Sequence, residues 1–95
     1  MAILGFNDTG AEHFFLYGKL PKTGWNSIGK IVARKLDQLN AASELKDLKA
    51  PPGNRLEALR GNRQGQWSIR INGQWRLCFR WTYSGPDEVE IVDYH

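Results

Sequence analysis

The spacing of hydrophobic positions along the chain changes near residue 66. Before it, Ile28, Ile31, Val32, Leu36 and Leu39 recur at three- and four-residue intervals, as on a helix with one apolar face. Lys30, Arg34, Asp37 and Gln38 fill the other face, so this helix should cover one side of a core. Asn26 or Ser27 can cap its start, and Trp25 is placed to staple it. Upstream, residues 2–6 read as a short edge strand, and Asn7 or Asp8 can cap a helix that runs to about Gly18 with Ala11, Phe14, Phe15 and Tyr17. Residues 21–24 break the pattern, and residues 43–48 suit one more helical turn before Pro51, Pro52 and Gly53 stop it.

From Gln66 onward the period is two. Trp67, Ile69 and Ile71 share one face of a strand, with Ser68, Arg70 and Asn72 on the other. In the next run Trp75, Leu77, Phe79 and Trp81 alternate with Arg76, Cys78 and Arg80, and Asn72-Gly73 supplies turn chemistry between the two. Residues 84–87 mark a second turn into a last strand over residues 89–94. The sum is an α+β fold: a small antiparallel β-sheet, with a mixed edge, and two to three helices packed on one face.

A length of 95 residues suits a single domain, residues 1–95, with one core. Hydrophobic residues at 41% and charged residues at 24% match ordinary globular usage, which argues against disorder and fibrous repeats. No apolar run approaches a membrane span and residues 1–10 lack a secretory layout, so a cytoplasmic protein is expected. Cys78 is the lone cysteine, and with only His13 and His95 no zinc-type cluster can form by spacing, so no metal and no cofactor are expected.

The net charge of +3 is mild, but its distribution is not. Residues 55–80 hold six arginines (Arg55, Arg60, Arg63, Arg70, Arg76, Arg80) against one acid, Glu57, whereas residues 81–95 carry Asp87, Glu88, Glu90 and Asp93 with no Lys or Arg. Matching the apolar faces of the hairpin pairs Ile71 with Trp75 and sets Arg70 opposite Arg76, which costs stability unless an anion or carboxylate lies between them. Arginine suits phosphate because its planar fork holds two oxygens and stays charged. The plainer alternative is a solvated strand face neutralised by Glu88 and Glu90. That alternative suits Arg80. For Arg70 and Arg76 no acid lies in sequence reach, and a phosphate-binding platform is the better reading.

Asp93, Tyr94 and His95 end the sequence, and such groups can move protons when RNA attacks its own phosphodiester through a 2′-hydroxyl. A histidine near its reference pKa of about 6.5 suits that task, while a phenol near 10 needs neighbouring positive charge. In the last strand Val89 and Ile91 should face the core, with Glu90, Val92 and Tyr94 on the platform side. A terminal tripeptide alone is a weak motif. His13 reads as a packed or surface residue, Cys78 as a small filler or semi-exposed thiol, and Trp67, Trp75 and Trp81 as packing residues.

The Pro-Pro-Gly linker, the segment RLEALRGNR at residues 55–63, WSIRINGQWRLCFRW at residues 67–81 and the final Asp93-Tyr94-His95 together resemble the HigB host-killing toxins of the RelE/ParE superfamily, in the family's own order. The resemblance spans residues 26–95 by motif. It implies a metal-free endoribonuclease that cuts mRNA on the ribosome of a bacterium, held inactive by a helix-turn-helix (HigA-like) antitoxin, monomeric when free and hetero-oligomeric with the antitoxin. Asp93, Tyr94 and His95 match the family's C-terminal functional residues. Arg76 matches the arginine after the tryptophan of the second hairpin strand, and Arg60 a basic residue before the glycine. Glu57 stands where relatives place a histidine, and Asn72 where some have an arginine, for which Arg70 can stand in. Arg55 and Arg63 complete the expected RNA-binding set. Two alternatives stay open: a ParE-like poison of DNA gyrase, and a non-catalytic RNA- or protein-binding module.

Overall fold

Residues 2–94 are described in a computed structural model of the chain. Helix α1 (Thr9–Tyr17) starts at Asp8, whose carboxylate accepts the Ala11 N–H at 3.0 Å, and stops at Gly18, whose φ of 72° is the left-handed conformation that glycine adopts without strain. Helix α2 (Gly29–Ala41) follows a single 3-10 turn (Trp25–Ile28). The cap expected from Asn26 or Ser27 is not formed. Both residues lie inside that turn, and the Asn26 amide instead donates to the Lys22 carbonyl at 3.0 Å. The buried Trp25 ring sets this geometry by packing edge-on against Phe14, with centroids 5.3 Å apart.

Val32, Leu36 and Leu39 carry α2 onto the sheet, as their spacing required. A 3-10 turn (Leu45–Lys49) follows, in which the Asp47 carboxylate accepts the N–H groups of Ser43 and Glu44, each at 3.0 Å. A second turn (Pro52–Asn54) ends at Asn54, which is wholly buried. Its side-chain oxygen accepts from Lys35 Nζ at 2.5 Å, and its nitrogen donates to Gln38 Oε1 and to the carbonyls of Leu48 and Ala50 at 3.1–3.2 Å. Asn54 therefore rivets the long connection to α2.

The sheet has four antiparallel strands in the order β1 (Glu57–Ala58), β2 (Trp67–Arg70), β3 (Trp75–Thr82) and β4 (Gly85–Asp93). Arg70 faces Arg76 and Ile71 bonds Trp75, the register that parity requires. β4 starts earlier than expected, because a bulge between Cys78 and Arg80 lets it continue through Glu88 at φ 51°. Along its outer edge the segment expected as a strand over residues 2–6 makes one parallel bridge, Phe6 to Val89, with further bonds from Leu4 N–H to Pro86 O and from Val89 N–H to Gly5 O. Both helices lie on one face, over a core that includes Leu36, Leu39, Ile69, Leu77, Phe79 and Val89, with Trp67, Trp75 and Trp81 packed at its margin. No helix among the described residues is long and apolar enough to cross a membrane.

Candidate functional site

On the face away from the helices, Arg76 projects from the middle of the sheet and is only 8% exposed. Burying a guanidinium is costly unless its donors are satisfied, and here the neighbouring strands satisfy them. Nε donates to Ser68 Oγ at 2.7 Å, and Nη2 to the Arg55 carbonyl at 2.7 Å and the Ser68 carbonyl at 3.3 Å. Nη2 also lies 3.5 Å from Glu57 Oε1. Glu57 is the one finding that overturns the expectation of no acid within reach of Arg76. It arrives on β1, opposite Ser68, a strand of two exposed residues that carries no alternation to read.

Arg55 holds φ at 47°, a conformation that costs a non-glycine residue about 1 kcal/mol or more. That backbone twist carries the carbonyl that Arg76 uses. The Tyr94 ring covers the guanidinium, with Cζ 5.8 Å from the ring centroid, and Tyr94 N–H is tied to the Gln74 carbonyl at 2.6 Å. Next to this pair Glu57, Ala58, Leu59, Arg60 and Tyr94 line a cleft of about 580 Å³. Arg60 is exposed at its rim, with no carboxylate of the described residues within 4.0 Å.

The other arginines divide into two groups. Arg63 hydrogen-bonds Gln66 Oε1 at 3.0 Å and pairs with Glu90, which raises its pKa above the ordinary guanidinium value, while Arg80 pairs with Glu88 at 3.1 Å. The plainer reading of Arg80 thus holds for Glu88, whereas Glu90 goes to Arg63. Arg55 and Arg70 have no described carboxylate within 4.0 Å. The like charges of Arg34 and Arg70 add to burial in lowering the pKa of Lys35.

Asn72 is committed to the turn: its Oδ1 accepts the N–H groups of Gln74 and Trp75, each at 2.8 Å. Asp93 pairs with Trp75 across the ladder, so its side chain leaves β4 on the helical side, opposite to Tyr94, and accepts from Gln74 Nε2 at 3.1 Å. His95 lies outside the described residues. Cys78 is buried, with burial pushing its thiol up to about 11, which makes it a filler and not a nucleophile. Among the described residues no three His, Cys, Asp or Glu side chains gather to hold a metal ion. Ser68 was visible only as a platform-side residue, and its role as the seat of Arg76 could have been sought in the cross-strand diagonal between them.

A family model described as "RelE-like toxin of type II toxin-antitoxin system HigB" matches residues 4–95. Toxin HigB-1 of Vibrio cholerae is 45% identical over 78 residues, 82% of either chain. Endoribonuclease HigB of Proteus vulgaris is 30% identical over 61 residues, 64% of this chain and 65% of that one. Among solved structures, a YoeB/ParE toxin from Agrobacterium tumefaciens superposes over the whole of both chains with a TM-score of 0.57 at 21% identity, which is a likeness of fold. With the model spanning nearly all of the sequence and the sheet and helices arranged as in a YoeB/ParE toxin, this chain belongs to the HigB-like family of RelE-type toxins from type II toxin-antitoxin systems.

Proposed function

We propose that this toxin is a ribosome-dependent endoribonuclease that blocks translation by cutting mRNA in the cleft between β1 and Tyr94, in the cytoplasm, without a metal ion. The observation that carries the reading is the Arg76 guanidinium, fixed on Ser68 and Arg55 and roofed by the Tyr94 ring beside an open cleft. A relative whose name is Endoribonuclease HigB supports it. The 2′-oxygen attacks the adjacent phosphorus as its proton passes to a base, and the P–O5′ bond breaks as the leaving oxygen takes up a proton. The products are a 2′,3′-cyclic phosphate and a 5′-hydroxyl.

Glu57, the carboxylate on the cleft wall, is the base in this reading, and Tyr94 or His95 supplies the proton. Arg76 stabilises the charge that builds on the phosphoryl oxygens. Asp93 acts at one remove, holding Gln74, whose carbonyl anchors Tyr94. Arg60, Arg70 and Arg55 take neighbouring phosphates. The antitoxin is of the HigA-like, helix-turn-helix kind, and the free toxin is a monomer.

Tyr94→Phe, Glu57→Gln and His95→Ala are tested on ribosome-bound message by mapping the 5′ ends of the products, with melting curves confirming the fold. Loss of a proton-transfer group should slow cutting about 100-fold or more. Wild-type rates in all three variants would remove the reading. Loss of DNA supercoiling with intact message would place the toxin with gyrase poisons, and salt-sensitive RNA binding without cutting would leave a binding module.

A further inference from the structure

A guanidinium offers five N–H donors in one plane, on Nε, Nη1 and Nη2, and the seat of Arg76 uses them unevenly. Nε and Nη2 share one edge of the group, an edge with which an arginine can grip a phosphate by two parallel bonds. In this protein that edge is taken by a single residue. Ser68 accepts from Nε through Oγ at 2.7 Å and from Nη2 through its carbonyl at 3.3 Å. The Arg55 carbonyl, at 2.7 Å, takes the remaining Nη2 hydrogen. Glu57 Oε1, 3.5 Å from Nη2, therefore balances the charge without receiving a hydrogen bond.

Nη1 is left. No described residue accepts from it, and no buried side-chain nitrogen among the described residues lacks a partner, so Nη1 reaches solvent although Arg76 itself is buried. Tyr94 and Glu57, which flank the guanidinium, both wall the cleft. Neither two-pronged grip on a phosphate is open to Arg76. Ser68 closes the one made by Nε and Nη2, and Arg55 closes the one that pairs Nη2 with Nη1. The two-oxygen fork expected from the sequence is turned inward. Ser68 is fully buried in β2, with Glu57 on β1 and Cys78 on β3 opposite it, so strands on both sides fix its backbone. Without its Oγ, Nε–H would lack a buried acceptor and the group would be free to rotate its forked edge outward.

We propose that Ser68 is a positioning residue for RNA cutting, one that keeps the Arg76 guanidinium turned so that Nη1 alone meets the scissile phosphate, at one of its two non-bridging oxygens. The inference rests on the reading that RNA is cut in the cleft beside Arg76. The two non-bridging oxygens of a phosphodiester are stereochemically distinct, so a contact to only one of them discriminates between them.

The test uses ribosome-bound message with a single phosphorothioate, of Rp or Sp configuration, at the mapped cut site. Sulfur is a weak hydrogen-bond acceptor, so the wild type should cut one diastereomer about tenfold or more slower than the other. Ser68→Ala should bind message as the wild type does and cut unmodified message about tenfold slower, with the two diastereomers within about twofold of each other. Ser68→Thr, which keeps Oγ, should restore the ratio, with melting curves verifying both folds. A general loss of stability would slow both diastereomers equally and leave the ratio unmoved. In proton–nitrogen NMR spectra the Arg76 Nε–H should exchange slowly with water in the wild type and rapidly in Ser68→Ala. With message still cut, the inference alone is overturned by equal diastereomer rates or rapid Nε–H exchange in the wild type, by a wild-type ratio in Ser68→Ala, or by a folded Ser68→Thr that fails to restore it. A wild type that leaves unmodified message whole would remove the cutting reading and this inference together.

Discussion

Cys78 and Lys35 are two buried side chains on the same small sheet-and-helix scaffold, and burial moves them in opposite senses. An unfolded thiol ionises near its ordinary value of 9.0, whereas in the folded chain Cys78 does so at about 11. Between those values the native state holds a proton that the unfolded chain has released, so stability present below about pH 9 falls as pH rises towards 11. The loss should be on the order of 2 kcal/mol. Lys35, with its pKa lowered, works the other way and regains stability as pH rises through its depressed value. Denaturant titrations at several pH values on Cys78→Ala and wild type separate the two. The alkaline decline should shrink in the variant, and an identical decline in both would show that Cys78 does not cause it. The strand period puts Cys78 on the platform face with Arg76 and Arg80, but its complete burial was not open to reading, because Glu90 stands opposite it on β4 and brings Arg63, both far off in sequence.

At the scale of elements, the site depends on a connection more than on a strand. The segment between α2 and β1 has little regular structure, yet it delivers the Arg55 carbonyl to Arg76 and leads into β1, whose Glu57 carboxylate lies beside the same guanidinium. Asn54 fixes it, and Asn54→Ala would leave the Lys35 ammonium and the carbonyls of Leu48 and Ala50 short of partners in a buried setting. A loss of about 2–3 kcal/mol is expected, together with slower RNA cutting, measured by urea unfolding and by cleavage assay. The β2–β3 hairpin was legible in the sequence because alternation on both runs admits one parity. β1 was not, because two exposed residues carry no period, and neither was the 3-10 entry to α2, which Trp25 imposes through a contact with another helix. In the tail, alternation places Tyr94 on the platform and sends the Asp93 side chain to the helical side, so these two neighbours in sequence do not share a face.

For the whole molecule, the six arginines of residues 55–80 are not a uniform platform. Arg63, Arg76 and Arg80 are held by carboxylates of the chain, and Arg55, Arg60 and Arg70 have none among the described residues. Only an arginine free of internal pairing should exchange counterions fully with RNA. The dependence of log affinity on log salt for single-stranded RNA should therefore lose about one unit of slope in Arg60→Ala or Arg70→Ala, and much less in Arg63→Ala or Arg80→Ala. Equal changes in all four, read by fluorescence anisotropy over a salt series, would show that the internal pairs open on binding.

The amino-terminal segment has a further consequence for how this toxin survives while folded. Leu4, Gly5 and Asn7 together occupy main-chain groups of Pro86 and Val89, and Asp8 Oδ2 takes the Ile91 N–H at 3.0 Å. Stripped of those first eight residues, β4 would offer a bare hydrogen-bonding margin to any extended peptide it met. Trimming the front of the chain would thus invite strand-by-strand recruitment and insoluble assembly, which makes this short strap a guard against self-templating.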